Sequence, residues 1–496
     1  MTNVVHTAFG SVSGIEDGPV VKFLGIPYAK PPIGELRFRE PQLIEPWEGT
    51  LEATKYAKDP MQRSTKLDTS HYSEDCLYLN VWVPEHKEGK LPVMVWIPGG
   101  AYSTGGSGAA NPDGPSLYEC ATMARDTGCI IVSVSYRLNV FGFLNLSKYS
   151  SRFEDNLGMK DLVTALKWVN QAIGAFDGDV DNITLFGESA GAGAISALMM
   201  VEEAAPLFHK AIIQSNCFGS FYTPEEEDDV CAKYLEFVGL DTSRVEELLE
   251  LPYPVLMEAT EKLTAYVLAQ DFGKCTFCPV VDGTFITDYP TLAAFEGLNK
   301  PVLVGSNRNE GNFLVFSYKL AEGESEKLAA EMLRKLTPDR CKAALSEYPL
   351  PGKQGLADVM TDIMYTMPKL RFAEHLSKQG NVYVYRYDFV TPIMKMMGLQ
   401  ACHVAEMIPL FDLKEKPYVT FGIGARGSLK KIGLRMRRYW GAFAREGVPN
   451  VPGQVEWKPY DEQNRFTMVI SKTDCLVSDA DDKVRIRYDG IDRFLI

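Results

Sequence analysis

Six short apolar runs, rich in β-branched side chains, recur along this chain: PVMVWIPGG (92–100), CIIVSVSYR (129–137), NITLFGE (182–188), KAIIQSN (210–216), PVLVGSN (301–307) and NVYVYRYDF (381–389). A continuous apolar run of that length suits a strand covered on both faces, the condition inside a parallel sheet. Helical periodicity lies between the runs, as where Leu162, Leu166, Val169 and Ile173 fall on one face of DLVTALKWVNQAI. The alternation predicts an α/β chain in which a mostly parallel sheet is flanked by helices.

At 496 residues, 46% apolar and 23% charged, the chain is long enough to bury a large core. It has no internal repeat, low-complexity linker or compositional break, and reads as one elaborated domain, 1–496. Stretches near 218–275 and 315–380 read as helical, amphipathic insertions. In open α/β sheets ligands bind beyond the carboxyl ends of the strands, so these insertions are expected to shape a pocket entrance.

The 51 basic and 65 acidic side chains leave a formal charge of −14 at pH 7. That balance repels phosphate backbones and anionic lipid, so no nucleic-acid or membrane partner is expected. No apolar run reaches membrane-spanning length, and MTNVVHTAFG lacks the basic flank and apolar core of a signal peptide. The ten cysteines are scattered rather than framed, which suits a reducing compartment and predicts a cytoplasmic protein. Cys275 and Cys278 have Cys-x-x-Cys spacing but no second pair or histidine cluster nearby, so neither a metal nor a cofactor is expected. The acidic run Glu225 to Asp229 follows Thr223 and Pro224 and reads as the solvated first turn of a helix. Oligomeric state leaves no trace in the sequence.

The segment NITLFGESAGAGAIS (182–196) holds Ser189 between two glycines just after an apolar run. A chain that turns sharply from strand to helix lifts one side chain clear of its backbone, which makes Ser189 a candidate nucleophile. With 41 glycines in the chain, a Gly-x-Ser-x-Gly match arises by chance on the order of 0.2 times, so the motif needs partners. Hydrolases built on such a turn keep the order serine, acid, histidine. His209, His375 and His403 follow Ser189, and His403, in a loop after a glycine, is favoured. Glu310 stands just past the run at 301–307, where its carboxylate suits the far imidazole nitrogen, although position alone does not select it among 65 acidic residues. The glycine-rich turn VWIPGGAYSTGG (95–106) offers the N–H groups of Gly100 and Ala101, with that of Ala190, to an oxyanion. A phosphate cradle is disfavoured because no Gly-Lys-Ser/Thr follows, and a plain structural turn is the alternative.

Together GESAGA and EDCLYLNVWVP (74–84) resemble the type-B carboxylesterase family, the α/β-hydrolase branch that holds cholinesterases, bacterial carboxylesterases and para-nitrobenzyl esterases. GIPYAKPPIGELRF (25–38), YRLNVFGFL (136–144), LFHKAIIQSN, GSNRNEG, YWGAFAREGVPN (439–450) and WKPYD also resemble family segments, in family order and across essentially the whole chain. The resemblance implies an α/β-hydrolase fold and a serine carboxylester hydrolase acting on small-molecule esters through an acyl enzyme. Amide or thioester hydrolysis would use the same groups, and some relatives of this fold bind without catalysis. It further implies Ser189 as nucleophile, Glu310 as acid and His403 as base, with Gly100, Ala101 and Ala190 as the oxyanion hole. Ser215 and Glu406 would be polar residues near that triad. Arg37 with Glu74, and Arg137 with Asp161, would be structural ion pairs. Cys76 is the first cysteine of this chain, so the family's usual disulfide to an upstream partner cannot form. Residues 48–81 hold no tryptophan, which disfavours choline esters. The run Gly99, Gly100, Ala101, Tyr102 resembles that of esterases accepting bulky tertiary alcohols. Cys402, directly before the base, reads as an inert buried thiol, the alternative being that a bulky thiol reagent there disturbs His403.

Overall fold

The computed structural model describes residues 3–491 apart from 63–69, 86–88, 109–116, 271–272, 294, 296, 317–319 and 414–417, so His86 lies outside the described residues. Contacts divide the chain into two units: Met1–Lys210 with Ser220–Tyr289, and Ala211–Gly219 with Pro290–Ile496.

The first unit carries β1 (Asn3–Thr7), β2 (Gly10–Asp17), β3 (Val20–Pro27), β4 (Thr50–Glu52), β5 (Asp59–Pro60), β6 (Tyr72–Ser73), β7 (Tyr78–Pro84), β8 (Leu91–Ile97), β9 (Ile130–Val134) and β10 (Gly178–Glu188). Its main sheet runs β1-β2-β3-β7-β9-β8-β10. The three apolar runs of this unit became β8, β9 and β10, and β8 pairs parallel with both of the others, Val93 lying opposite Ile130 and Ile183. β9 is buried at all five positions, as expected of a strand covered on both faces.

The second unit carries all but the first residue of β11 (Lys210–Gln214), then β12 (Val302–Asn307), β13 (Val382–Tyr387), β14 (Phe466–Ile470) and β15 (Cys475–Ser478). β11, β12, β13 and β14 pair parallel in that order. β12 is buried at all six positions.

The sheet pattern is mostly parallel where the apolar runs lie, as the sequence predicts, and antiparallel pairing is added by strands that the apolar runs did not include. β1, β2, β3 and β7 pair antiparallel in succession, β7 joins β9 antiparallel, and β15 closes onto β14 antiparallel. These strands escaped notice for a physical reason. β1 alternates half-buried and exposed positions, and β2 ends on three exposed residues, so neither forms a continuous apolar run.

The helix Leu157–Ala172 buries Leu162, Leu166 and Val169 as its periodicity predicted, and buries Met159, Val163 and Trp168 besides. The stretch 218–275 contains helices Pro224–Val238 and Tyr253–Gln270, and 315–380 contains five helical segments between Glu324 and Ser377. Thr223 and Glu226 form a capping box at the first of these. The solvated reading of its acidic run fails at Glu227, which is buried and accepts from the Asn145 N–H at 2.9 Å. Burial pushes its carboxyl up to about 8. Arg37 grips Glu74 through Nε at 2.7 Å, and the buried Arg137 holds Asp161 at 2.8 and 2.7 Å.

Candidate active site

In the first unit β10 ends at Glu188 and the next helix, Ala190–Leu198, begins two residues later, so Ser189 alone makes the turn. Its φ of 57° and ψ of −124° lie in a region that costs an L-residue roughly 1–3 kcal/mol. Flanking glycines make the turn possible. A Cβ on Gly191 would lie 2.0 Å from the Ile97 carbonyl oxygen, and one on Gly187 would lie 2.8 Å from that same atom. Absence of both side chains lets the helix start press against the end of β8. The positive pole of this helix then favours negative charge beside Ser189.

The loop after β8 lies against the same turn. A Cβ on Gly99 would sit 2.5 Å from the Glu188 carbonyl oxygen and 3.0 Å from Ser189 Cβ. Gly100 has φ 118°, and a Cβ there would meet the Thr104 carbonyl oxygen at 2.1 Å. Ala101 and Tyr102 follow in the left-handed region, with φ of 53° and 54°. The Gly100 carbonyl accepts the N–H groups of Ser103 and Thr104, each at 3.0 Å. Among the described residues no acceptor takes the N–H of Gly100, Ala101 or Ala190. Buried packing holds this loop: the Tyr136 hydroxyl donates to the Pro98 carbonyl at 2.9 Å, and the Asn139 N–H donates to the Tyr102 carbonyl at 2.7 Å. Gln62 clamps the far end, donating to the Gly105 carbonyl at 2.6 Å and accepting its N–H at 2.9 Å.

The second unit supplies an acid–base pair. Glu310, fully buried, stands three residues past β12 and immediately before the helix Gly311–Phe316. Its Oε2 lies 2.7 Å from His403 Nδ1, and its carbonyl accepts the His403 N–H at 3.3 Å. A carboxylate only accepts, so Nδ1 donates in this bond, and in the neutral imidazole Nε2 holds the lone pair. The other carboxylate oxygen accepts the Asn307 N–H at 2.6 Å, which holds Glu310 in place.

Ser215 and Glu406 belong to the same cluster. The Asn307 amide donates to Ser215 Oγ at 3.1 Å, Ser215 donates to Glu406 Oε1 at 3.4 Å, and the Glu406 N–H returns to Asn307 Oδ1 at 3.2 Å. Tyr385 donates to Glu406 at 3.0 Å, and Gln214 links it to Trp440 Nε1, which donates at 3.1 Å. Gly305 makes room for Tyr385: a Cβ there would lie 2.1 Å from that ring. Ser215 reaches the cluster from left-handed backbone, φ 50°.

Asn307, Tyr385, Gln214 and Trp440 were not singled out from the sequence. Each sits in a strand or helix whose pattern reads as core, and only the cluster they share gives them a role. Of the alternative histidines, His209 Nδ1 accepts the Ile183 N–H at 3.1 Å at a strand end, and His375 lies in the helix Met367–Ser377. Cys402 is buried, and burial pushes its thiol up to about 12.

Comparison with known proteins places these features in context. Residues 1–488 match the sequence profile of the carboxylesterase family. The para-nitrobenzyl esterase of Bacillus subtilis (strain 168) is 32% identical over 489 residues, covering 97% of both chains. Liver carboxylesterase 1 of Oryctolagus cuniculus is 30% identical over 95% of this chain and 90% of its own. Among solved structures, a PNB esterase superposes with a TM-score of 0.87 at 32% identity, covering 98% of this chain and all of its own. The carboxylesterase EST55 of Geobacillus stearothermophilus gives 0.83 at 32% identity, over 98% of this chain and 99% of its own.

Proposed function

Because the chain belongs to the carboxylesterase family, we propose that its ester hydrolysis runs through Ser189 as nucleophile, His403 as general base and Glu310 as the acid that orients it. The protein is a serine carboxylesterase with the α/β-hydrolase fold. His403 Nε2 takes the Ser189 proton as Oγ attacks the ester carbonyl, and Glu310 stabilises the imidazolium that forms. The N–H groups of Gly100, Ala101 and Ala190 receive the oxyanion. The imidazolium then protonates the departing alcohol, and water attacks the acyl enzyme by the same route to release the acid. The Glu310–His403 bond of 2.7 Å, buried and braced by Asn307, carries this reading.

The substrates we propose are small carboxylic esters, and the name of the Bacillus subtilis relative makes para-nitrobenzyl esters the first to assay. A panel of acyl and aryl esters of graded chain length, given to the wild type and to Ser189→Ala, tests the assignment. Turnover by the wild type with none by the variant is expected. We also propose a cytoplasmic location, supported by ten cysteines that form no disulfide among the described residues. Cell fractionation tests it.

A further inference from the structure

A hydrogen bond to one nitrogen does not by itself stop an imidazole from rocking, so what else holds His403 matters to any role as base. The Tyr365 ring packs against it, with centroids 5.2 Å apart and planes inclined at 46°. Tyr365 is buried and lies in a wide, π-helical turn, Thr361–Thr366, between the helices Lys353–Met360 and Met367–Ser377. Pro368 explains why the turn is wide. It has no N–H for the Met364 carbonyl, and its ring crowds that carbonyl, so regular helix cannot run through. A π-turn shifts the register of the side chains within it, and such turns recur at functional sites.

The same turn touches the acid. Thr361 Oγ1 accepts the N–H of Gly311, the residue after Glu310, at 3.0 Å and donates to the Ala357 carbonyl at 2.8 Å. Contact is close because Gly311 has no side chain: a Cβ there would lie 2.2 Å from the Ala357 carbonyl oxygen. The turn's opposite side is anchored at Asp362, which accepts the Tyr348 hydroxyl at 2.6 Å and Arg487 Nη1 at 2.8 Å. One turn, fixed at its back, therefore touches Tyr365 to the base and Thr361 to the backbone beside the acid.

We propose that the wide turn Thr361–Thr366 positions the acid–base pair, and that Tyr365, nearer to the imidazole than the Phe313 ring at 6.4 Å, helps to fix the His403 ring and stabilises its protonated form. The inference rests on His403 being the base. An aromatic face attracts an imidazolium more than a neutral imidazole, so the ring favours the form that arises as Ser189 gives up its proton. Among the described residues, the titratable groups beside the imidazole include Glu310, the Tyr365 phenol, the Cys402 thiol and the buried Glu406, three residues further on.

The test is para-nitrophenyl acetate hydrolysis by the full chain from pH 5 to 8, with kcat and KM separated, for Tyr365→Phe, Tyr365→Leu and Thr361→Val. Tyr365→Leu is expected to lower kcat about tenfold with KM within about twofold, and to move the acid limb of kcat/KM to lower pH. Tyr365→Phe keeps the ring and is expected to restore both. Thr361→Val keeps the side chain's shape, loses the bond to Gly311 and is expected to lower kcat with KM unchanged, so the inference stays open to refutation even if Tyr365→Leu fails to fold. An unmoved acid limb in Tyr365→Leu, a Tyr365→Phe as impaired as Tyr365→Leu, or an unchanged kcat in Thr361→Val overturns it. Ser189→Ala and His403→Ala are assayed alongside. If they retain turnover the base assignment fails, and if they are dead while Tyr365→Leu matches the wild type, only the positioning role fails.

Discussion

The turn at Ser189 and the pair Glu310–His403 are built by opposite means. The first is made of backbone: a strained serine, glycines whose missing Cβ atoms let strand, loop and helix meet, and two further residues in the left-handed region. The second is made of side chains: a buried carboxylate held by Asn307, and behind it Ser215, Glu406, Gln214, Tyr385 and Trp440 in one hydrogen-bonded cluster. A backbone site fails when an atom is added, because close-packed peptides have nowhere to move. A side-chain network fails when an atom is removed, because each buried partner left behind is unsatisfied.

The largest expected effect treats both regions alike. Ser189→Ala and His403→Ala should each lower ester turnover by roughly 10⁶-fold, because such groups act as a unit. Ser189→Ala should leave the thermal melt near the wild type, whereas His403→Ala, which strips the buried Glu310 carboxylate of its partner, should lower it. Turnover of either variant near the wild-type rate would overturn the proposed joint action of Ser189 and His403. Glu310→Gln should cost less, about 10⁴-fold, since the base survives with its orientation impaired. A loss as deep as that of His403→Ala would give the carboxylate more than an orienting role.

Gly191→Ala probes the backbone site by addition. Its new methyl meets the Ile97 carbonyl at 2.0 Å, so a stability loss of about 1–3 kcal/mol or more is expected, read as a lowered melting temperature. An unchanged melt would show that the helix start yields.

Glu227, in the unit of the nucleophile, sharpens the contrast through pH. Its carboxyl sits at about 8 against an ordinary 4.5, because burial strips it of water and the Asn145 N–H and Cys231 thiol, which donate to it, offset only part of that cost. Between those values the unfolded chain has released this proton and the folded protein keeps it, so stability falls as pH rises through the window, by about 1.4 kcal/mol per unit of displacement. Glu227→Gln carries no such proton. Its melting temperature should fall less between pH 5 and 8 than that of the wild type, and equal slopes would refute the role of this carboxyl.

The smallest effect concerns the alcohol side of the ester. The Gly100 carbonyl is already engaged by the Ser103 and Thr104 N–H groups, which supports room beside the attacked carbonyl for a quaternary carbon. Measurable hydrolysis of tert-butyl acetate, slower than that of a primary acetate, is expected. Activity on the primary ester with none on the tertiary one would count against this reading of the loop.

Six strands were legible as apolar runs because a strand covered on both faces advertises itself in composition, and the Ser189 turn was legible because its glycines are obligatory. The antiparallel strands β1, β2, β3 and β7 were not, since half-exposed strands joined by short turns carry little periodic signal. Glu227 shows the same limit on a helix: three consecutive glutamates look alike in sequence, and only packing decides that the third turns inward.

What the sequence by itself determined, then, is what backbone sterics and long apolar runs dictate: the covered strands, the glycine-bounded turn and the loop before Ser189. Glu310 stood among 65 acidic residues until the fold set its Oε2 2.7 Å from His403, 93 positions away, and Asn307 was an ordinary strand-closing residue until its side chain met Ser215 and Glu406, 92 and 99 positions away. The reason is physical. A glycine's missing side chain constrains its own neighbours in the chain, whereas a carboxylate's role depends on which donors arrive from distant segments, and only tertiary structure brings them there.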